Sequence, residues 1–226
     1  YEYTPNGVEV SGIYGLLTRL VFQKHGIDIQ WCPLNIGDTV AAVERDQVDC
    51  VVCIFQTAER TKRVDFTAFL HVVTVTGVVR DSFKDIKTRG DLQNGMYIIA
   101  VCQGEVGQEL AENVLGIPKG RLRILNAPDY TGVVGLVETG VAHIALIDGI
   151  SCRRLVSERS GARMKLRQVF VRFPLDQCSN GVMVRRGDEA FRQWLDKAFR
   201  AERSNADVQA AEDQALEDYH GILQKS

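Results

Sequence analysis

Apolar residues recur at helical spacing in SGIYGLLTRLVFQKHG, where Ile13, Leu16, Leu17, Leu20 and Val21 share one face. Ser11 is placed to cap this helix and Gly26 to stop it. The period then changes. IDIQWCPL predicts a strand over 27–34, GDTVAAVERDQ a helix and VDCVVCIF a second strand, an order with βαβ character. HVVTVTGVVR predicts a long β-branched strand, after which the alternation restarts. MYIIAVC, RLRIL and HIALID read as strands, and GQELAENVLG, YTGVVGLVETG and ISCRRLVSE as the helices between and after them. KLRQVFVRF and NGVMVRR add two strands. Two helices end the chain, one with Phe191, Leu195, Ala198 and Phe199 on its face and one with Ala211, Ala215, Leu216 and Tyr219, separated by SNAD. The class is α/β, with two units in tandem and no flexible linker between them. A ligand cleft between the units is the expectation.

The 226 residues, 45% of them hydrophobic, suffice for one large domain or two small ones. A net charge of -2 gives no electrostatic footprint for nucleic acid or an anionic membrane, so neither is an expected partner. No apolar run approaches the roughly 20 residues of a membrane span. The chain starts at Tyr1 rather than Met, which is compatible with a removed leader and export. Cys32, Cys50, Cys53, Cys102, Cys152 and Cys178 are scattered. Cys50 and Cys53 have CxxC spacing, but within a β-branched strand they read as core thiols; a disulfide between distant cysteines stays open. His25, His71, His143 and His220 lack metal-ligand spacing, and neither GxSxG nor HExxH occurs, so no metal or other cofactor is expected.

Three segments could carry chemistry. In QTAERTKRVDFT, Thr57 marks a helix start at the carboxyl end of the strand VVCIF and puts Arg60 beside it. A guanidinium there can clamp a carboxylate with two parallel hydrogen bonds, or belong to a solvated cluster with Lys62 and Arg63. In VCQGEVGQELAENVLG, a turn with Gly104 and Gly107 precedes a helix, where backbone N–H groups can hold an anion. Glu105 is out of place there, since it repels an anion while favouring the helix dipole. In HIALIDGISC, Asp148 ends a strand before a helix and is an N-cap, a functional carboxylate, or both.

The order of these segments resembles the periplasmic amino-acid-binding proteins, the type II periplasmic binding proteins of solute-binding family 3 that serve ABC transporters. YEY…NG…SGIYGLL is similar to the family's opening. VERDQVDCVV is similar to its helix, Gly-x-x-Asp, strand step, with Asp46 in place of glycine. TAERTKRVDFT resembles its Thr-Pro-Glu-Arg…Val-Asp-Phe-Ser/Thr signature with Ala58 for proline, and is the most specific match. DSFKDIKTRGDLQN, QGEVG, TGVAHIALID and NGVMVRRGDEAF resemble later steps. The resemblance implies a two-lobed Venus-flytrap, each lobe a central, mainly parallel sheet flanked by helices, with two hinge strands. Lobe one would be 1–77 plus 183–226 and lobe two 78–182. It further implies that Arg60 binds a ligand α-carboxylate and Asp148 its ammonium, with Phe55, Cys53, Gly104, Glu105, Val106 and Tyr1 around them.

The implied partners are a small amino-acid-like ligand and the membrane permease of an ABC transporter. The implied protein is a periplasmic or extracellular monomer. Three departures bear on this. Cys53 and Phe55 replace small and hydroxyl contacts, and Glu105 with Val106 replaces the loop's first threonine, which points to an unusual amino acid, a decarboxylated amine or a weakly held ligand. The family's first strand would precede Tyr1. Two other functions share the scaffold: a cyclohexadienyl (prephenate/arogenate) dehydratase-like enzyme with Glu105 as general acid, and the sensing domain of a receptor or kinase.

Overall fold

The computed structural model describes residues 2–4, 7–10, 12–68, 70–118, 122–159 and 165–223. Strands β1 (Glu2–Thr4) and β2 (Gly7–Glu9) form a small antiparallel pair. Helix α1 (Gly12–Lys24) follows, burying Leu17 and Val21 as their spacing predicts and ending at Gly26 with φ +66°. Its expected cap, Ser11, lies outside the described residues. A 3-10 turn leads into α2 (Thr39–Glu44), and the chain then enters β3 (Cys50–Phe55), α3 (Ala58–Thr61), β4 (Val64–Phe66) and β5 (His71–Arg80).

The second half of the alternation is α4 (Arg89–Asn94), β6 (Ile98–Cys102), α5 (Val106–Glu109), β7 (Arg123–Ala127), α6 (Tyr130–Glu138), β8 (Ile144–Asp148) and α7 (Gly149–Glu158). β9 (Leu166–Val169), β10 (Asp176–Arg185), α8 (Glu189–Glu202) and α9 (Ala206–Leu223) complete the chain. Among the described residues no helix is long and apolar enough to cross a membrane.

One mixed sheet runs β3-β10-β5-β8-β6-β7, with β4 on β10 and β9 on β5. The parallel ladders are β6–β7 and β6–β8, and the others are antiparallel. β5 pairs with β10 through His71–Val75 and with β8 through Val75–Val79. β10 in turn reaches β3 and β4 through its second half. These two strands therefore tie together two lobes, each with its own core.

In one lobe, Val182 and Val184 point to α1 and α8, while Met183 between them points to the opposite face with Val43, Val64 and Phe66. That alternation is the period-2 pattern of a strand covered on both faces. In the other lobe, Ile99, Val101, Ile144 and Leu146 pack under α4 and α5, while Ala100, Ala145 and Ile147 pack under α6 and α7. Each fully buried Leu or Ile contributes about 1.5–3 kcal/mol relative to exposure.

Several expectations are corrected. Residues 27–34 form no strand, because alternation alone cannot supply a ladder partner and the outer edge of β3 carries none among the described residues. KLRQVFVRF is a strand only to Val169, since Phe170 turns to φ +63° and Phe173 is left exposed. Asp65 lies inside β4 and accepts from the Gly187 backbone N–H at 2.8 Å. Helix GQELAENVLG is a single α-turn that continues as a π-helix over Leu110–Val114. The expected face Ala215, Leu216 and Tyr219 lies outside the described side chains, although α9 itself is present.

Candidate functional site

The carboxyl end of β3 delivers the first group. Thr57 caps α3 by accepting from the Arg60 backbone N–H at 3.3 Å, which fixes the start of the helix and holds Arg60 beside its parent strand. Arg60 is only 5% exposed. Its Nη1 donates to the Phe55 carbonyl oxygen and its Nη2 to that of Gly104, both at 2.7 Å. The other two cations of the segment go elsewhere: Lys62 pairs with Glu59 and Arg63 with Glu44, all at the surface.

The turn after β6 delivers the second group. Gly104 has φ +77° and comes so close to the loop before α2 that a Cβ there would lie 2.9 Å from the Gly37 Cα. Glu105 follows as the N-cap of α5 and is 6% exposed rather than facing solvent. Its Oε1 is 3.7 Å from Arg60 Nη2, and its Oε2 accepts from the Val106 N–H at 3.2 Å. Burial raises the Glu105 pKa, with Arg60 and the Val106 N–H pulling it back and Asp148 adding to the rise. Desolvation thus outweighs the attraction of the nearby guanidinium. The Gly104 N–H is taken by Gln108 Oε1 at 2.8 Å. Val106 puts its side chain into the lobe core, and Gly107 packs so tightly on β8 that a Cβ would sit 2.2 Å from the Leu146 carbonyl oxygen.

The end of β8 delivers the third. Asp148 is 5% exposed, and its Oδ1 accepts from the N–H groups of Ile150 at 3.1 Å and Ser151 at 2.9 Å, so it caps α7. Tyr130, at the start of α6, is within hydrogen-bonding reach of both Asp148 and Glu105. Burial, then the two carboxylates, raises its phenol pKa well above the ordinary value.

Cys53 adopts φ +60° inside β3, and its thiol pKa is pushed up to about 12 by burial and then by Asp148 and Glu105, against a hydrogen bond with Tyr14. Asn180 Nδ2 lies 3.7 Å from its sulfur. All six cysteines are free, and burial raises Cys50, Cys102, Cys152 and Cys178 to about 12 as well, which leaves these thiols protonated and inert. No group of residues able to hold a metal ion occurs among those described.

Of the expected site residues, Arg60, Phe55, Gly104, Glu105, Asp148 and Cys53 meet at one place between the lobes. The Val106 backbone joins them, and Tyr1 lies outside the described residues. Sequence reading missed Tyr14, His71, Asn180 and Tyr130. The Tyr14 hydroxyl lies 2.7 Å from His71 Nδ1 and accepts from Asn180 Nδ2 at 2.7 Å. The Asn180 Oδ1 accepts from the His71 backbone N–H at 3.0 Å, and His71 Nε2 lies 3.0 Å from Glu212 Oε1. This network joins α1 to β5, β10 and α9. Its one sequence signal was a polar residue, Asn180, immediately before the apolar run GVMV.

The profile of the bacterial extracellular solute-binding proteins, family 3, matches residues 1–217. The chain belongs to that family. Sequence comparison with curated proteins finds no match. Solved structures are similar to this family 3 protein over nearly its whole length. A substrate-binding protein of an amino acid ABC transporter aligns with TM-score 0.81 and 16% identity, covering 96% of this chain and 92% of its own. An amino acid ABC transporter substrate-binding protein from Streptococcus pneumoniae bound to L-arginine aligns with TM-score 0.79 and 14% identity, covering 96% and 88%. An ancestral amino-acid-binding protein described as a precursor of cyclohexadienyl dehydratase aligns with TM-score 0.74 and 17% identity, covering 93% and 87%. At these identities the likeness establishes the two-lobed fold of this family 3 protein, and its ligand has to be argued from its own side chains.

Proposed function

We propose that this chain is the extracytoplasmic solute-binding component of an ABC transporter, a monomer in the periplasm or outside the cell. It captures an amino acid or related small polar ligand between its lobes and presents it to a membrane permease. Residues 1–77 plus 183–226 form lobe one and 78–182 lobe two, with β5 and β10 as the hinge strands. Closure follows from differential binding, because only closed lobes contact the ligand from both sides.

One observation carries this reading: Arg60 at the end of β3 and Asp148 at the end of β8 are both buried, and both bear on Glu105 between them. Buried charges of opposite sign at strand ends suit a ligand carrying both signs, since an unpaired buried charge is costly. In this reading Arg60 receives a ligand carboxylate when one displaces Glu105, and Asp148 receives an ammonium, with Phe55, Cys53, Gly104, Val106 and Tyr1 around them. Calorimetric titration with the standard L-amino acids and their amine analogues tests it. Saturable one-to-one binding is expected, and the absence of binding by every compound would refute the reading.

A second reading is favoured by Glu105 itself. A buried carboxyl with a raised pKa beside a guanidinium has the proton affinity of a general acid. In a dehydratase of the cyclohexadienyl type, Arg60 would hold the side-chain carboxylate of prephenate while Glu105 protonates the leaving hydroxyl. The hydroxyl departs as water as the ring carboxylate leaves as CO2 and its C–C bond electrons aromatise the ring. Release of phenylpyruvate from prephenate, abolished in Glu105→Gln, would establish it; no turnover would remove it.

A further inference from the structure

The donors and the acceptors of the cleft are not equally available. The groups placed to receive a ligand carboxylate are already partly engaged within the chain, two of the five guanidinium N–H donors among them. Arg60 Nη1 and Nη2 donate to Phe55 and Gly104, Glu105 stands beside Nη2, the Gly104 N–H is on Gln108, and the Val106 N–H is on Glu105. The acceptors placed to receive an ammonium are of the opposite abundance. Two carboxylates, Glu105 and Asp148, are buried near the Arg60 guanidinium, and the Tyr130 oxygen adjoins both. Once Glu105 is ionised, its charge and that of Arg60 cancel, and Asp148 adds a second carboxylate beside the pair. Around them, Cys53 and Tyr130 both feel Glu105 and Asp148 as charges that raise them, and at Cys102 and Cys178 the raising effect of Glu105 exceeds the opposing pull of Arg60.

We propose that the cleft selects a carboxylate-free organic cation, a primary amine or diamine, over the amino acid of the same side chain, with Glu105 standing in for the ligand carboxylate on Arg60. The inference rests on the solute-binding reading and narrows it. An α-carboxylate entering the cleft has to expel Glu105 from the guanidinium and leave a second carboxylate buried without a cation. An amine has no such requirement: its ammonium meets Asp148 and the Tyr130 oxygen, and its charge offsets the excess of the site. The specificity therefore comes from a repulsive element, the internal carboxylate, as much as from an attractive one.

The experiment is calorimetric titration of the whole chain, at about pH 8, above the ordinary glutamate value, with two matched pairs: agmatine against L-arginine, and cadaverine against L-lysine. In the wild type each amine is expected to bind at least about tenfold tighter than its amino acid. In Glu105→Gln, which keeps the size of the side chain and removes its charge, the preference moves toward the amino acid by a similar factor. Should that variant fail to fold, Glu105→Asp, with the carboxylate withdrawn from Arg60, is expected to move it the same way. L-arginine and L-lysine binding the wild type as tightly as their amines would overturn the inference and leave the solute-binding reading standing. No binding by these four compounds or by any standard amino acid would overturn both.

Discussion

Arg60 Nη2 donates to the carbonyl oxygen of Gly104 at 2.7 Å, so a side chain from the end of β3 is bonded to the turn that follows β6 in the other lobe. The same guanidinium holds its own strand end through Phe55 and lies beside Glu105. It is at once a ligand-binding candidate and a latch between lobes.

Removing Arg60 should therefore cost stability as well as affinity. In Arg60→Ala two carbonyl oxygens lose a donor and Glu105 loses the guanidinium beside it, a loss of roughly 3 kcal/mol in urea unfolding. The double variant Arg60→Ala, Glu105→Gln should recover part of that loss, because the buried charge left behind is gone. Strict additivity of the two single effects would show that the pair is not coupled. Lys62→Ala, by contrast, should change stability by less than about 0.5 kcal/mol, since it removes one exposed ion pair.

Glu105 makes stability depend on pH with a definite sign. Its folded pKa is raised, so the folded chain holds the proton more tightly than the unfolded chain does. The contribution is fully present below the ordinary glutamate value, and it is lost as pH rises through the folded value. Among the described residues, Arg60, Asp148, Tyr130 and the thiols of Cys53, Cys102 and Cys178 are titratable or charged groups that face it. Wild-type stability should fall across that window by an amount that Glu105→Gln does not show, so the variant gains on the wild type as pH rises. Parallel pH profiles for the two proteins would contradict this burial-driven rise.

The lobe contact at Gly104 gives a conformational prediction. A side chain there must tolerate φ +77° and would push against the Gly37 backbone at 2.9 Å, where nothing flexible can yield. Gly104→Ala should hold the lobes apart. Small-angle scattering should report a larger radius of gyration than for the wild type, and affinity should fall while each lobe core is undisturbed. An unchanged radius would mean that the loops on either side simply rearrange.

The fold was legible because its signals are local and strong: a one-faced α1, β-branched runs for β3, β5, β6 and β8, and a capping threonine at 57. Even Asp46, read as a replaced glycine, takes the left-handed conformation that such a position demands, at φ 56°. Arg60 and Asp148 were visible for the same reason, since strand ends followed by helix caps can be read from spacing. What could not be read depends on pairing in space. The 27–34 pattern lacks a ladder partner, and Phe170 breaks β9 through its backbone conformation. Tyr14, His71 and Asn180 belong to three separate segments, and they become a network only when α1 is laid beside β5 and β10. The burial of Glu105 was likewise invisible, because an N-cap glutamate reads equally well as exposed.

Asp148 holds two roles that one pair of substitutions can separate. Its Oδ1 caps α7 through Ile150 and Ser151, and asparagine can make the same bonds with its amide oxygen. Asp148→Asn should thus lower stability by only a few tenths of a kcal/mol, whereas Asp148→Ala, which loses the cap, should cost about 0.5–2 kcal/mol. Binding should follow a different order. Both variants lack the negative charge that meets an ammonium, so both should weaken amine ligands by a similar factor, measured by titration calorimetry, despite their unequal stabilities. If Asp148→Asn binds as tightly as the wild type, the carboxylate serves the helix alone and the ammonium is held by Glu105.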